Sequence, residues 1–138
     1  MIRGGDRVFI DTGAWIALAA VRDAMHLRAR ETWTSLLDAG ARPIVSTPVL
    51  LETFTYLQRK IAHEVALAWW TSLDQVPFLE RLECTNVELK AAMRYFARRE
   101  LHKLSLVDAT SFVLMKKHKV RIAFTFDTHF AAAGFRLA

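Results

Sequence analysis

Two acidic residues come directly after short apolar segments of the kind that form buried strands. Asp11 follows residues 8–10 (Val-Phe-Ile), and Asp127 follows residues 121–126, which end in Phe-Thr-Phe. Ligands of open α/β sheets bind outside the carboxyl ends of the strands, so both acids stand where a ligand crevice is expected. An acid at the end of a buried strand also needs a partner, because an isolated carboxylate is costly to bury. If the two strands are neighbours, both carboxylates point into one crevice.

Two further acids are predicted near the starts of helices. Glu52 lies early in the helix after the second predicted strand, and Asp108 lies in the first turn of the helix before the fourth. In a parallel sheet these helix starts lie at the same end as Asp11 and Asp127. Three of the acids also have structural interpretations. Asp108 can complete a capping box with Ser105, Asp127 can cap the short helix after it, and Glu52 can be a solvated charge.

Four carboxylates that share one crevice require a compensating cation. Two like charges about 4 Å apart repel by about 4 kcal/mol at an effective dielectric constant of ~20, so one acid would otherwise stay protonated. Mg²⁺ and Mn²⁺ are hard ions that take oxygen ligands and keep several waters. Such an ion can activate water and shield the charge of a phosphodiester. The sequence therefore predicts a Mg²⁺ (or Mn²⁺) site whose ligands are Asp11, Glu52, Asp108 and Asp127.

The elements that would position these acids alternate between strands and helices. Strands are predicted at 8–10, 43–46, 78–83, 121–126 and 134–137, with the third near an edge. Helices are predicted at 14–20, 26–39, 48–60, 63–74, 86–99 and 106–117. Thr47 is the predicted N-cap of the third helix, and Thr85 forms a capping box with Glu88 at the fifth.

Strands separated by helices pair in parallel through right-handed crossovers. We therefore expect an α/β fold with one domain over residues 1–138. Its central parallel sheet would have about four to five strands, flanked by helices on both faces.

The composition suits one folded domain of 138 residues. Apolar residues make up 53% and charged residues 24%, which excludes a disordered tail. No apolar run is long enough to cross a membrane, and the first residues lack a signal peptide. Cys84 is the single cysteine, so no internal disulfide and no cysteine-based metal site can form. These features favour a cytoplasmic protein, and the formal net charge of +5 suits nucleic-acid binding or simple solubility.

Four segments, taken in order, resemble the PIN-domain family and within it the VapC-type toxin ribonucleases of bacterial toxin–antitoxin pairs. The segments are FIDTGAW at 9–15, STPVLLETFTYL at 46–57, LSLVDATSF at 104–112 and TFDTHFAAAGF at 125–135. The matching acids are Asp11, Glu52, Asp108 and Asp127. The segments span nearly the whole chain, and four motifs at these spacings are more specific than any one of them.

The resemblance implies a parallel sheet between helices and a Mg²⁺- or Mn²⁺-dependent endoribonuclease, the toxin of a toxin–antitoxin pair. It also implies that Thr12 and Thr125 support the acids through hydrogen bonds. Gly13 stands where the family more often has a serine, which removes no acid. Two partners are implied as well: a second copy of the chain in a homodimer, and a cognate antitoxin whose tail blocks the site.

Four basic residues before Asp108 are predicted to hold RNA phosphates beside the acids. They are Arg98, Arg99, His102 and Lys103. A solvated helix end, favoured by the helix dipole, is the alternative. A second basic run at 116–121 lies at the opposite end of its helix from Asp108, which favours a solvated face. His129 is expected at the surface, although it can touch substrate.

Trp69 and Trp70 are adjacent on a predicted helix, so both cannot point into one core. An exposed tryptophan often marks an interface. We therefore expect antitoxin binding or dimer packing at one of them, with partial burial in the core as the alternative.

The residues favour RNA hydrolysis over two other classes of function. A phosphate-accepting signalling domain also gathers acids at strand ends, but it requires adjacent acids after the first strand, and Asp11 has no acidic neighbour. A catalytically inactive RNA- or protein-binding module on the same fold is the main alternative. Binding of Mn²⁺ that depends on Asp11 distinguishes the enzyme from an inert module. The sequence identifies neither the RNA that is cut nor the antitoxin.

Overall fold

Five short parallel strands form one sheet in the order β3–β2–β1–β4–β5. The computed structural model describes residues 1–98 and 103–138. The strands are β1 (Arg7–Ile10), β2 (Arg42–Ser46), β3 (Glu80–Leu82), β4 (Ile122–Phe124) and β5 (Arg136–Leu137). The predicted α/β fold with a parallel sheet is confirmed, and β3 lies at an edge as expected.

Helices connect these strands. The described α-helices are α1 (Thr12–Ala19), α2 (His26–Asp38), α3 (Thr47–Tyr56), α4 (His63–Ser72), α5 (Asn86–Ala92), α6 (Leu106–Lys117) and α7 (His129–Ala132). A π-helical turn (Leu57–Ile61) extends α3, and 3₁₀ turns (Leu73–Gln75 and Met93–Ala97) extend α4 and α5. None of the described helices is both long and apolar enough to cross a lipid bilayer.

The central position of β1 follows from its sequence, which is apolar on both faces. Val8, Phe9 and Ile10 are completely buried, as expected for a strand covered by helices on both sides of a parallel sheet. The chain adds β2 and β3 on one side of β1, and β4 and β5 on the other. The strand order therefore reverses between β1 and β4, and such a reversal opens a crevice at their carboxyl ends.

Two helices begin and end within one residue of the boundaries that the sequence predicts. α6 begins immediately after Ser105 and ends at Lys117. α2 ends shortly before Gly40, whose φ of 77° is the left-handed conformation that glycine adopts without a steric penalty.

The predicted N-cap of α3 is wrong by one residue. Ser46, the last residue of β2, accepts a hydrogen bond at its Oγ from the Val49 N–H at 3.3 Å. The hydroxyl of Thr47 instead donates to the Leu82 carbonyl of β3 at 3.4 Å. The neighbouring strand thus recruits the threonine, and the serine before it caps the helix.

The fifth helix and the fourth strand are shorter than predicted. α5 gives way to a 3₁₀ turn after Ala92. Its apolar residues Leu89, Met93 and Phe96 are 37%, 58% and 37% exposed, so they do not belong to the core. β4 ends at Phe124, which leaves residues 125 and 126 in the turn that leads to Asp127.

The adjacent tryptophans of α4 separate as predicted. Trp69 is buried, whereas Trp70 is 44% exposed. Trp69 packs against Trp15 of α1 with ring centroids 5.9 Å apart, and Trp15 packs against Trp33 of α2 at 5.4 Å. This aromatic cluster joins three helices, and an apolar pocket of about 680 Å³ opens beside it.

The carboxylate of Glu88 in α5 is buried and strongly hydrogen-bonded. Lys117, at the end of α6, donates to its Oε1 at 2.6 Å. The Thr85 N–H donates to Oε2 at 3.2 Å, as the predicted capping box requires, and the Thr85 hydroxyl donates to the same oxygen. These hydrogen bonds, the one from Lys117 above all, lower the pKa of Glu88 to about 2. The charged pair therefore ties α5 to α6.

Replacing Glu88 with Gln is expected to reduce the free energy of unfolding at neutral pH, because Lys117 loses its charged partner. The pKa of Glu88 in the folded state lies below the ordinary value of 4.5, so the carboxylate stabilises the fold above that pH. This stabilisation disappears as the pH falls toward about 2. Urea unfolding of both proteins across this pH range measures the difference.

The matched control is Glu83→Gln at an exposed position before α5. It is expected to change stability by less than about 0.5 kcal/mol. A stability difference for Glu88→Gln that does not vary with pH would contradict the role given to this carboxylate.

Candidate active site

One pocket of about 720 Å³ opens at the carboxyl ends of β1 and β4. It contains all four acids that the sequence singles out. Its lining includes Asp11, Glu52, Asp108 and Asp127, together with Thr12, Tyr56, Ser105 and Thr128. Four segments that lie far apart in the chain therefore bring carboxyl groups to one crevice, at the point where the strand order reverses.

Asp11 joins β1 directly to α1. Its N–H donates to the Phe124 carbonyl at 3.0 Å, and its own carbonyl accepts from the N–H groups of Ala14 and Trp15 at 3.1 Å. Its side chain is only 5% exposed. Oδ2 accepts a hydrogen bond from the Thr125 hydroxyl at 2.8 Å. Oδ1 is buried and has no hydrogen-bond partner among the described residues.

Burial raises the pKa of Asp11 to about 7, because the charged form loses its water. Repulsion from Asp108, and more weakly from Asp127, raises the same pKa, while the hydrogen bond from Thr125 lowers it. The buried Asp11 carboxylate thus has two acids beside it and no compensating positive charge among the causes that shift its pKa.

Asp127 is held by the turn after β4 and by His129. The Thr125 hydroxyl that donates to Asp11 also accepts a hydrogen bond from the Asp127 N–H at 3.0 Å. One threonine therefore links two acids, as the family resemblance implies. The His129 N–H and its ring Nδ1 lie 2.9 and 2.7 Å from Asp127 Oδ1. The expectation of a merely surface histidine missed this contact, which the two-residue spacing and the following short helix could have suggested.

Asp108 both helps to cap α6 and lines the acidic pocket. It forms the capping box with Ser105: the Ser105 N–H donates to Oδ2 at 3.3 Å, and Ser105 Oγ accepts from the Asp108 N–H at 3.1 Å. Burial raises the pKa of Asp108, and Asp127 raises it further, whereas the bonds from Ser105 lower it. The capping interpretation and the predicted place beside the other acids are thus both correct.

Glu52 is half-buried in α3. Burial raises its pKa, and repulsion from Asp108 adds to the effect. The Thr12 hydroxyl lies near enough to lower this pKa, but it completes no hydrogen bond with a described residue. Tyr56, one helical turn after Glu52, lines the same pocket. Tyr56 is not among the residues predicted from the sequence, although it lies four residues after Glu52 and therefore on the same face of the helix.

The donor set of this pocket fits a hard divalent cation. The polar side chains that line it carry carboxyl and hydroxyl oxygens. One oxygen of Asp11 is buried without a hydrogen-bond partner among the described residues, and Asp108 and Asp127 repel Asp11. Within the described part of the chain, no three acidic, histidine or cysteine side chains already stand close enough to hold an ion. Hydrogen bonds from Ser105 and His129 engage two of the carboxylates instead.

Of the predicted RNA-binding residues that the structure describes, Arg98 and Lys103 do not line the acidic pocket. Arg98 lies in a separate small pocket of about 370 Å³ with Arg94, Tyr95 and Lys116. Lys103 is exposed two residues before Ser105. The other two predicted contacts, at positions 99 and 102, lie outside the described residues. Their role in RNA binding stays a prediction.

Comparison with known proteins shows a close similarity to an endonuclease. The chain is 36% identical over 131 residues to a Mycobacterium tuberculosis protein named 23S rRNA-specific endonuclease VapC20, covering 93% of this chain and 95% of that protein. The crystal structure of Mycobacterium tuberculosis VapC20, described as a sarcin–ricin loop cleaving toxin, matches with a TM-score of 0.81 and 33% identity. That match covers 93% of this chain and 95% of the other.

More distant structures share the fold alone. VapBC2 from Rickettsia felis, bound to a promoter DNA fragment, matches with a TM-score of 0.69 at 11% identity, over 96% of this chain and 97% of that one. VapBC from Salmonella typhimurium, bound to DNA, matches with a TM-score of 0.62 at 17% identity, over 100% and 98%.

A family model described as the PIN domain matches residues 8–136, which include all four acids of the pocket. The resemblance to VapC-type toxins that the four motifs indicate is confirmed by the relative at 36% identity. This chain therefore belongs to the PIN-domain family.

Proposed function

We propose that the chain is a metal-dependent endoribonuclease that hydrolyses RNA phosphodiester bonds and acts as the toxin of a toxin–antitoxin pair. The observation that carries the proposal is the convergence of Asp11, Glu52, Asp108 and Asp127 in one pocket. The relative named as a 23S rRNA-specific endonuclease supports the same activity.

In this proposal Asp11, Asp108 and Asp127 hold Mg²⁺ or Mn²⁺, with Glu52 as a direct ligand or a ligand through water. A bound ion supplies positive charge to the phosphodiester and makes water more acidic. It would also relieve the repulsion that raises the pKa of Asp11.

The remaining polar residues of the site position the acids. Thr125 fixes one oxygen of Asp11 and the main chain of Asp127, so the two strand ends keep a constant separation. Ser105 orients Asp108 from the start of α6. His129 holds Asp127 Oδ1, which leaves the other oxygen of that carboxylate for a ligand.

A stem-loop of 23S ribosomal RNA is the substrate that we propose, by analogy with the relative of that specificity. Positive side chains are needed to hold its backbone, and the chain carries a formal net charge of +5. The predicted phosphate contacts are Arg98, Arg99, His102 and Lys103.

Two apolar surfaces suit the proposed protein partners. The pocket beside Trp15, Trp33 and Trp69 can receive apolar side chains of an antitoxin. A second groove of about 720 Å³ is lined by Leu51 and Leu89, both exposed, beside the acidic pocket. We assign this second groove to a homodimer interface.

Replacing Asp11 with Asn is expected to reduce RNA cleavage in Mg²⁺ or Mn²⁺ by about a hundredfold or more, since the metal site loses a charged ligand. Cleavage rates on a synthetic stem-loop measure the effect. Asp38→Asn, at an exposed position at the end of α2, is the matched control and should cleave normally. Undiminished cleavage by Asp11→Asn would remove the acidic pocket from the mechanism.

Metal binding should be visible without any RNA. In the metal-free protein at pH 8, Asp11→Asn is expected to unfold at the same or a higher temperature than the parent, because a buried and repelled charge is removed. Mn²⁺ at a hundred times its dissociation constant should stabilise the parent by about 2.7 kcal/mol and Asp11→Asn much less. Equal stabilisation of both proteins would show that Asp11 is not a ligand, and no stabilisation of either would favour an inert module.

Dimerisation through the Leu51 and Leu89 groove can be tested by mass. The parent is expected at twice the chain mass of 15.7 kDa in light scattering. Leu51→Glu should give the monomer, because a charge would be buried in the interface. The control is Leu27→Glu, at an exposed site on α2. A monomeric parent, or a dimeric Leu51→Glu, would place the interface elsewhere or exclude it.

A further inference from the structure

A second large cleft lies at the amino ends of the strands, away from the acids. It has a volume of about 990 Å³ and gathers positive side chains from both termini and from the end of α6. Its six basic residues are Arg3, Arg7, Lys116, Lys119, Arg121 and Arg136. Asp6 is the one acid among the residues that line it, and its carboxylate accepts a hydrogen bond from the Arg3 N–H at 2.8 Å. We call this surface the basic cleft.

Most of the charge in the basic cleft is not neutralised by ion pairs among the described residues. Arg7 is paired with Glu80 at 2.8 Å and donates to the His118 carbonyl at 2.6 Å. By contrast, the exposed side chains of Arg3, Lys119 and Arg121 form no ion pair with any residue in 1–98 or 103–138. Unpaired positive charges concentrated in a concave surface raise the local concentration of anions.

The backbone conformation of Lys119 is a second unusual feature of the basic cleft. Lys119 has a φ of 57°, in the left-handed region. Two residues after the end of a helix, glycine or asparagine normally takes this conformation. Lys119 has this less favourable backbone conformation and lines the cleft.

The basic cleft and the acidic pocket lie at opposite ends of β1. Arg7 begins the strand, and Asp11 follows its last residue. Four strand residues span about 13 Å, and the pocket and the cleft share no lining residue. A short oligonucleotide held at the acids therefore cannot fill both, whereas a folded RNA larger than the domain can contact both ends.

We propose that the basic cleft binds the phosphate backbone of a structured RNA at positions remote from the bond that is cut. This inference rests on the proposed ribonuclease function, because it takes the same RNA as its ligand. Four of the six basic residues are arginines, whose planar guanidinium matches phosphate oxygens in pairs. The cleft then selects for large folded substrates, while the acids act on the scissile bond.

The test compares a long and a short RNA. The triple variant Arg3→Gln, Lys119→Gln and Arg121→Gln removes three of the unpaired charges of the cleft, and none of these residues lines the acidic pocket. The matched control removes three exposed charges elsewhere: Arg22→Gln, Arg28→Gln and Lys90→Gln. Binding is measured by fluorescence anisotropy in the Asp11→Asn background, where cleavage is suppressed, against salt concentration.

The triple variant is expected to bind a long ribosomal RNA fragment on the order of tenfold more weakly at ~0.15 M salt, with a salt slope lower by about 2 to 3. In the active protein it should raise KM for the long RNA. It should cut a short stem-loop with the kcat and KM of the parent. The control triple should change neither the slope nor these rates.

Three outcomes would overturn the inference. The first is an unchanged salt slope, and the second is an equal loss of cleavage on the short stem-loop. The third is a triple variant that keeps its affinity for RNA but no longer binds an acidic peptide that the parent binds, which would make the cleft a protein-binding site. Lys119→Gly is the second variant, because glycine suits the left-handed backbone and keeps the fold. It should lower the slope by about 0.9. A parent that cuts no RNA would refute the proposed function, whereas the slope would still report on the basic cleft.

Discussion

The main constraint on this structure is that its site keeps like charges close together where water is scarce. Asp11 is almost completely buried at the end of the central strand, and Asp108 and Asp127 repel it. Repulsion of this kind opposes folding, so other interactions in the chain must hold the groups in place. Hydrogen bonds hold the three acids: the Thr125 hydroxyl donates to the Asp11 carboxylate and accepts from the Asp127 N–H, and the Ser105 N–H donates to the Asp108 carboxylate. The fold thus concentrates negative charge in one pocket.

The sheet explains why distant segments can share one pocket. Strand order reverses between β1 and β4, so the two strand ends diverge into crossovers that leave in opposite directions. Side chains that follow the two strands then face each other across the gap. The middle of α3 and the start of α6 lie at the same end of the sheet and add Glu52 and Asp108. A parallel sheet with this order therefore concentrates residues from four parts of the sequence.

Periodicity and capping rules predicted most of the fold and the four acids, because these depend on local patterns. Ser105 and Lys117 bound α6 as expected. Sequence reasoning failed where tertiary contacts decide. Thr47 does not cap α3 because its hydroxyl donates to the Leu82 carbonyl of the neighbouring strand. His129 turns to an acid, and the basic run at 116–121 joins Arg3 and Arg136 only when both termini fold against it. Local sequence contains no information on such distant neighbours.

The direct junction at Asp11 has a consequence for how proteins built this way can vary. One residue closes the strand and opens the helix, with no loop between them. Each residue inserted there would turn α1 by about 100° about its axis and shift it by about 1.5 Å. The buried carboxylate would then leave the pocket, and Trp15 would leave its aromatic neighbours. We therefore expect insertions and deletions to be tolerated at the amino ends of the strands or in residues 21–25, and to be selected against at this junction.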